Sequence, residues 1–313
     1  MSSLLVENPG MLTTVQDLGR PGFGALGVSP SGAADPVALQ LGNLLVGNAP
    51  NTAALEMTLV GGRYFFSEGG VIALAGADFG ATLNGQPLEM WIPHAVRPGG
   101  TLEIGLTRAG ARCYLCIAGG IQVEQFLGSA STHLLSGLGG FAGRALRKGD
   151  VLQFAAPEHM IRRRRISTWV LQSLQPRKCL RVTRGPQVEW FSESATRDFF
   201  AGTFRVSEDS DRLGLRLEGP SLALESPREM ISEGVSLGAV QVTPSGQPII
   251  LFVEQQTAGG YPKIANVIGA DLFRVGQLRP REEITFAQIS LGEARALWIE
   301  QQRLLNSGEE LFA

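Results

Sequence analysis

Residues 240–275 read VQVTPSGQPIILFVEQQTAGGYPKIANVIGADLFRV, and the way apolar runs alternate there with turn residues decides how the chain is read. Gln247-Pro248-Ile249-Ile250-Leu251-Phe252-Val253 is a continuous apolar run closed by a polar segment, the pattern of a strand buried on both faces. Glu254-Gln255-Gln256-Thr257 then sets hydrogen-bonding side chains in a row, and Ala258-Gly259-Gly260 leaves the backbone open to close approach. Tyr261-Pro262-Lys263 adds an aromatic, a fixed turn and a cation before the apolar segment 264–268. Two readings are open: a polar shelf that faces a ligand, or a hairpin with ordinary turn chemistry.

The surrounding half has the same texture. Strand patterns recur at 180–182, 204–206, 214–217, 240–243, 249–253, 264–267 and 283–286, with a short helix at 191–200. Ser210-Asp211-Arg212-Leu213-Gly214 groups a hydroxyl, an acid and a guanidinium before a strand; it reads equally as a polar substrate contact or as an Asx-type turn with a surface arginine. Ser290 and Glu293 form a capping box for a terminal helix with apolar residues at helical period, stopped at Gly308.

Toward the start, 12–17 reads as a strand and 18–34 as a loop too rich in Gly and Pro for regular structure. Arg20, the one strong charge near its first glycines, suits either a grip on a carboxylate or carbonyl or a surface position. Asp35-Pro36 opens a helix as N-cap and first helical residue, and Gly47 closes it. Short strands follow at 54–59, 63–66, 71–74, 81–83, 102–106, 112–117 and 151–154, a spacing that implies a barrel or sandwich. The hydroxyl-rich 129–132 segment either lines a pocket or simply turns. Arg162 to Arg165 read as a solvated linker before a further strand at 168–171, so two mainly β domains are expected, 1–160 and 161–313, the second ending in the helix. Gly-Gln-Pro turns at 85–87 and 246–248 and Arg-Pro turns at 97–98 and 279–280 hint that the halves are alike.

Composition excludes several classes. A net charge of −2 gives no general attraction to nucleic acid or anionic membrane, and no run approaches the roughly 18 apolar residues of a membrane helix. The first seven residues have neither a basic region nor an apolar core, so the cytoplasm is the expected location. Three cysteines argue against a disulfide framework, and Cys113 and Cys116, three apart in a strand pattern, point to opposite faces rather than to one metal. His94, His133 and His159 lack ligand spacing, so no metal site is expected. Gly137-Leu138-Gly139-Gly140-Phe141-Ala142 fits a dinucleotide fingerprint formally, but a turn and strand follow where a helix is required. The absence of a phosphate-loop motif and of G-x-S-x-G disfavours a self-contained ATPase or esterase.

Gln256-Thr257-Ala258-Gly259-Gly260-Tyr261-Pro262-Lys263-Ile264-Ala265 resembles the QTTGGYP-x-IA signature of the family that supplies the C subunit of 5-oxoprolinase. Residues 8–10, 16–20, 43–48 with 54–56, 117–121 and 210–214 carry the same resemblance nearly end to end. The wider group is the KipA, or allophanate hydrolase subunit 2, superfamily, which includes the carboxyltransferase region of urea carboxylase. The resemblance implies two tandem cyclophilin-like β-barrel domains with a few short helices. It also implies a complex with 5-oxoprolinase subunits A and B, the latter cyclophilin-like too, that opens 5-oxo-L-proline to L-glutamate while hydrolysing ATP. The complex uses the ATP; no cofactor is expected on this chain. The signature's second Thr is Ala258 here, one hydroxyl fewer. Candidate substrate-binding residues are Arg20, Ser210, Arg212, Gln256, Thr257, Gly259, Gly260, Tyr261 and Lys263; catalytic residues are left unassigned. The alternatives carried forward are a biotin-dependent carboxyltransferase component and a non-catalytic, KipA-like regulatory binding protein.

Overall fold

A computed structural model describes residues 2–155, 162–175, 177–226 and 228–313. It resolves into two compact units: residues 1–20, 31–175 and 305–313 in the first, and 21–30 with 176–304 in the second. The division expected after residue 160 falls in 156–161, outside the described residues, and so does His159.

The first unit holds two sheets. One runs in the order β11 (Ile121–Gln122), β12 (Val151–Phe154), β1 (Ser2–Asn8), β4 (Arg63–Phe66), β9 (Gly100–Glu103), β6 (Thr82–Leu83) and β7 (Gln86–Pro87). The other runs β2 (Leu12–Gln16), β3 (Ala54–Thr58), β10 (Arg112–Ile117), β5 (Gly70–Gly76) and β8 (Pro93–Val96). Asn84 and Gly85 form the turn between β6 and β7, both at positive φ, as the two-residue hairpin requires. In β10 the alternation sends Cys113, Leu115 and Ile117 into the main apolar cluster. Cys116 turns instead to the helix α1 (Pro36–Leu45), where a Cβ on Gly42 would lie 2.7 Å from its sulfur. The two thiols therefore face opposite ways, and both are fully buried. α1 begins as its residues dictate: the Asp35 carboxylate accepts the Ala38 N–H at 2.9 Å and Pro36 occupies the first turn.

The second unit is built on a closed barrel in the order β13 (Cys179–Arg184), β20 (Lys263–Val267), β17 (Ala239–Val242), β18 (Pro248–Leu251), β15 (Gly214–Glu218), β14 (Phe204–Val206) and β21 (Glu283–Gln288). All its pairings are antiparallel except β13 with β21, and closure removes free sheet edges. A separate ribbon pairs β16 (Glu233–Gly234) with β19 (Ala258–Gly259). Phe199 of α3 (Glu193–Ala201) stacks on Phe286 of β21 at 4.5 Å between centroids and closes one side of the core. A short helix α4 (Leu272–Gly276) and the terminal α5 (Leu291–Leu305) complete the unit's helices among the described residues, and the Ser290 and Glu293 side chains make the reciprocal capping bonds expected of them. The mainly β architecture with few helices is as the sequence implies.

Three local expectations are corrected. Residues 168–171 belong to a helix, α2 (Thr168–Ser173), not a strand; the extended stretch ends one step earlier, where Ile166 bridges Phe312 and the Ser167 N–H bonds Leu311 O. The 247–253 run ends as a strand at Leu251, because the Phe252 and Glu254 N–H groups turn to Leu213 and Arg212 carbonyls and Gln255 closes a turn onto Phe252. The 18–34 loop contains a single 3-10 turn, Gly24–Leu26, and its Ser29 hydroxyl bonds Val253 O at 3.1 Å within the second unit.

Candidate functional site

The signature segment does not form one continuous shelf. After β18 the chain turns, so Glu254 and Gln255 go inward, Gln256 and Ala258 are exposed and Thr257 is half-buried. The Glu254 carboxylate is taken by the Arg212 guanidinium, both side chains being almost wholly buried. The Glu254 N–H also donates to Arg212 O at 2.8 Å, so backbone and side chains together bind this turn to the one that enters β15. Ser210 lies earlier in the same connection, its hydroxyl accepting the Arg216 N–H at 3.1 Å. Asp211 accepts the Leu213 and Gly214 N–H groups, the Asx-type turn that the sequence allows.

Ala258 and Gly259 then pair with Gly234 and Glu233. Gly259 is closely approached: an added Cβ would lie 2.5 Å from Gln241 Nε2 and 2.9 Å from Gln256 Nε2, so both side-chain amides would have to shift. Gly260 is freer, with the nearest atom 3.3 Å from an added Cβ. It lines, with Tyr261 and Pro262, a cavity of about 710 Å³ whose other walls include Leu222, Val242 and Arg228. This size lies within the range of small-molecule sites. The Arg228 guanidinium sits 5.4 Å from the Trp190 ring centroid, which steadies a cation at the rim. Tyr261 is 41% exposed, so its ring is available to a ligand rather than consumed by the core.

Two residues further, the chain re-enters the barrel at Lys263, which is 4% exposed. Its ammonium lies 2.6 Å from Glu233 Oε1. Gln187 ties the pair together: its Nε2 donates to Glu233 Oε1 at 3.0 Å and its Oε1 accepts the Lys263 N–H at 3.1 Å. The Lys263 ammonium, and then Gln187, hold the Glu233 carboxyl below the usual carboxylate range.

The structure thus brings Gly260 and Tyr261 to one cavity and puts Lys263, from the same segment, in an ion-paired network. Arg212 and Ser210 sit in the turn leading into β15. Arg20 belongs to the first unit and is buried there: it donates to the carbonyls of Ser131 and Phe126, the latter at 3.2 Å, beneath the Phe126 ring. The hydroxyl-rich segment turns around Asp17, whose carboxylate accepts from the Ser129 and Ser131 hydroxyls at 2.6 Å and from the Ala130 N–H at 2.7 Å. Gly139 and Gly140 of the formal dinucleotide fingerprint pack against 131–132; a Cβ on Gly140 would meet Thr132 Oγ1 at 1.9 Å. Glu233, Gln187 and Gln241 were not singled out from the sequence, because each lies far along the chain from the residue it touches. Among the described residues no group of three or more His, Cys, Asp or Glu is placed to hold a metal, and no helix is long and apolar enough to cross a membrane.

Comparison with known proteins gives a consistent family. The chain is 39% identical over 284 residues to the C subunit of 5-oxoprolinase from Haemophilus influenzae, covering 91% of this chain and 90% of that one. It is 38% identical over 300 residues to the C subunit of 5-oxoprolinase from Escherichia coli, covering 96% of each. Among solved structures, the Kluyveromyces lactis urea amidolyase matches with a TM-score of 0.90 at 32% identity, covering 99% of this chain and 21% of that much longer one. The family profile described as carboxyltransferase domain, subdomain A and B, matches residues 26–288, so most of both units falls within it. By that span, and by its likeness to two relatives over nine-tenths of their length, the chain belongs to the carboxyltransferase domain family, subdomain A and B.

Proposed function

We propose that this chain is a subunit of an ATP-dependent 5-oxoprolinase that opens 5-oxo-L-proline to L-glutamate in the cytoplasm, working with subunits A and B and touching the cyclophilin-like B component most directly. The observation that carries the reading is the near end-to-end correspondence with the two relatives named as the C subunit of 5-oxoprolinase, 90% and 96% of whose lengths are covered. The Kluyveromyces lactis urea amidolyase that it also resembles is matched over 21% of its length, so this chain corresponds to one region of that protein.

The chemistry asks for what the second unit offers. A lactam resists water because amide resonance strengthens its C–N bond, and a phosphoryl group on the carbonyl oxygen makes the carbon electrophilic. Water then adds to that carbon, the ring C–N bond breaks as its nitrogen takes up a proton, and a second water releases phosphate from the acyl phosphate so formed, leaving the carboxylate of glutamate. In this reading the cavity beside Gly260 and Tyr261 holds the ring, the Gly260 amide is the oxyanion donor and Lys263 supplies counter-charge, with Gln256 and Thr257 on the stretch of chain that leads to it. Arg212 and Arg20 act as supports, since each is engaged inside its own unit.

Purified chain mixed with candidate A and B subunits tests this by glutamate formation from 5-oxoproline and ATP, each protein omitted in turn. Turnover that vanishes without this chain supports the reading; turnover that persists without it overturns it. A second reading, a component of a biotin-dependent carboxyltransferase, is favoured by the family description and by the TM-score of 0.90 to urea amidolyase. It predicts a biotinylated partner, which a streptavidin blot of co-purifying proteins detects.

A further inference from the structure

Lys263 and Glu233 are an unequal pair. Lys263 stands on β20, held between β13 and β17 in the closed barrel, with its side chain 6% exposed. Glu233 stands on β16, a two-residue strand laddered to the equally short β19, with its side chain 48% exposed. Ile231, two residues earlier, is 91% exposed. The cation is therefore fixed in the wall and the anion hangs on a thin ribbon. Burying an ammonium is costly unless an anion compensates, so the position demands a negative group but does not dictate whose.

The geometry of the contact leaves room for exchange. Although Nζ lies 2.6 Å from Glu233 Oε1, the approach is outside hydrogen-bonding angles, and among the described residues the buried ammonium has no aligned acceptor. An ammonium has three N–H donors to satisfy. Gln187 Nε2, now bonded to Glu233 Oε1 at 3.0 Å, is a neutral donor ready for the same anion. Among the described residues the further ties of the ribbon are the Val235 N–H to Thr257 O at 3.2 Å, the Gln255 side chain to the 235–237 backbone and the Ser236 hydroxyl to Asn266 Oδ1 at 2.8 Å.

We propose that Glu233 is a built-in stand-in for a substrate carboxylate: it occupies the Lys263 ammonium in the free chain, and the carboxylate of a small-molecule substrate displaces it, parting β16 from β19. The ligand class is a small organic carboxylate received by one ammonium and one carboxamide. Its naming as 5-oxoproline rests on the 5-oxoprolinase reading; the exchange itself does not.

The test titrates the full-length chain, by calorimetry, with 5-oxoproline, with acetate as the bare carboxylate, and with pyrrolidin-2-one as the ring without it. E233Q keeps the shape of the exposed side chain while removing its charge. The expected result is that E233Q binds both carboxylates about fivefold tighter, because the internal competitor is weakened, and pyrrolidin-2-one no differently. Hydrogen exchange of wild-type amides at 233–235 and 257–259 should rise when 5-oxoproline is bound. Tightening for acetate with no binding of 5-oxoproline leaves the exchange standing and removes the 5-oxoprolinase assignment. Binding of 5-oxoproline that E233Q leaves unchanged or weakens overturns the exchange and spares the assignment, and failure of both carboxylates to bind overturns the exchange.

Discussion

Removing the Glu254 carboxylate as E254A tests whether Arg212 serves the fold. The Arg212 and Glu254 side chains are 4% and 3% exposed, so the substitution strands a buried guanidinium from its charged partner. Breaking a buried pair from one side costs about 3–5 kcal/mol. For a unit of this size each kcal/mol moves the melting temperature by roughly 3–4 °C, so a fall of roughly 9–20 °C is expected in thermal unfolding followed by far-UV circular dichroism. Arg205–Glu218 is the control: its N–O distance is comparably short at 2.6 Å, but its side chains are 58% and 42% exposed, and E218Q should leave the transition where it is. Adding R212M to E254A should recover part of the loss, since apolar groups of similar volume can replace a buried ion pair. An E254A transition that coincides with that of E218Q would refute the reasoning. If the double variant is folded yet inactive in the reconstituted complex, Arg212 contacts substrate after all.

Four further outcomes follow from contacts in the same unit. G259A should disturb the signature ribbon and lower turnover, because its Cβ would press on Gln241 Nε2 at 2.5 Å, whereas G260A, whose Cβ meets nothing closer than 3.3 Å, should fold and unfold like the wild type in urea. A bulky side chain at the same place, G260W, should fill the cavity and abolish turnover without unfolding the chain; retained activity removes Gly260 from the site. F286A deletes a ring that is 3% exposed and stacked on Phe199, and should lower stability by about 3–5 kcal/mol in urea titration, with a loss under about 1 kcal/mol contradicting its place in the core. Burial pushes the Asp271 carboxyl up, but the Arg181 side chain and N–H more than offset it and hold it below the usual carboxylate range. That stabilisation is complete above the unfolded carboxylate pKa of about 3.9 and is lost as pH falls through the lower folded value, so D271N should flatten the acid limb of the urea midpoint against pH, and an unchanged acid limb would refute the linkage.

The parts legible in the sequence are those whose causes are local. Asp35-Pro36 starts α1 because the cap and the first turn need nothing from elsewhere, and Ser290 with Glu293 starts α5 for the same reason. β4, β10, β12 and β14 have the bounds that their apolar patterns suggest, each running between turn residues. The strand expected at 168–171 fails where the same logic meets a competing partner: the extended pairing is taken at Ile166 by Phe312, and the following residues are left to helix, with Val170 buried and Trp169 half exposed.

The site was legible as a segment and not as a constellation. Its glycines, aromatic and cation are consecutive, and both the likeness to the C subunits of 5-oxoprolinases and the mainly β class were readable from the chain by itself. The destination of each polar side chain was not readable. Four neighbours in the row from Glu254 to Thr257 go to different environments because the chain turns after Leu251, and that turn is made by carbonyls of Leu213 and Arg212, some forty residues earlier. Lys263 meets Gln187 and Glu233 across 76 and 30 positions only because β20 is fixed in the barrel and β19 in its ribbon. Caps, periods and signatures are set by bonds within a few residues, and the sequence alone determines them; which buried charge faces which is set by ladder register between distant strands, and only the tertiary structure decides that.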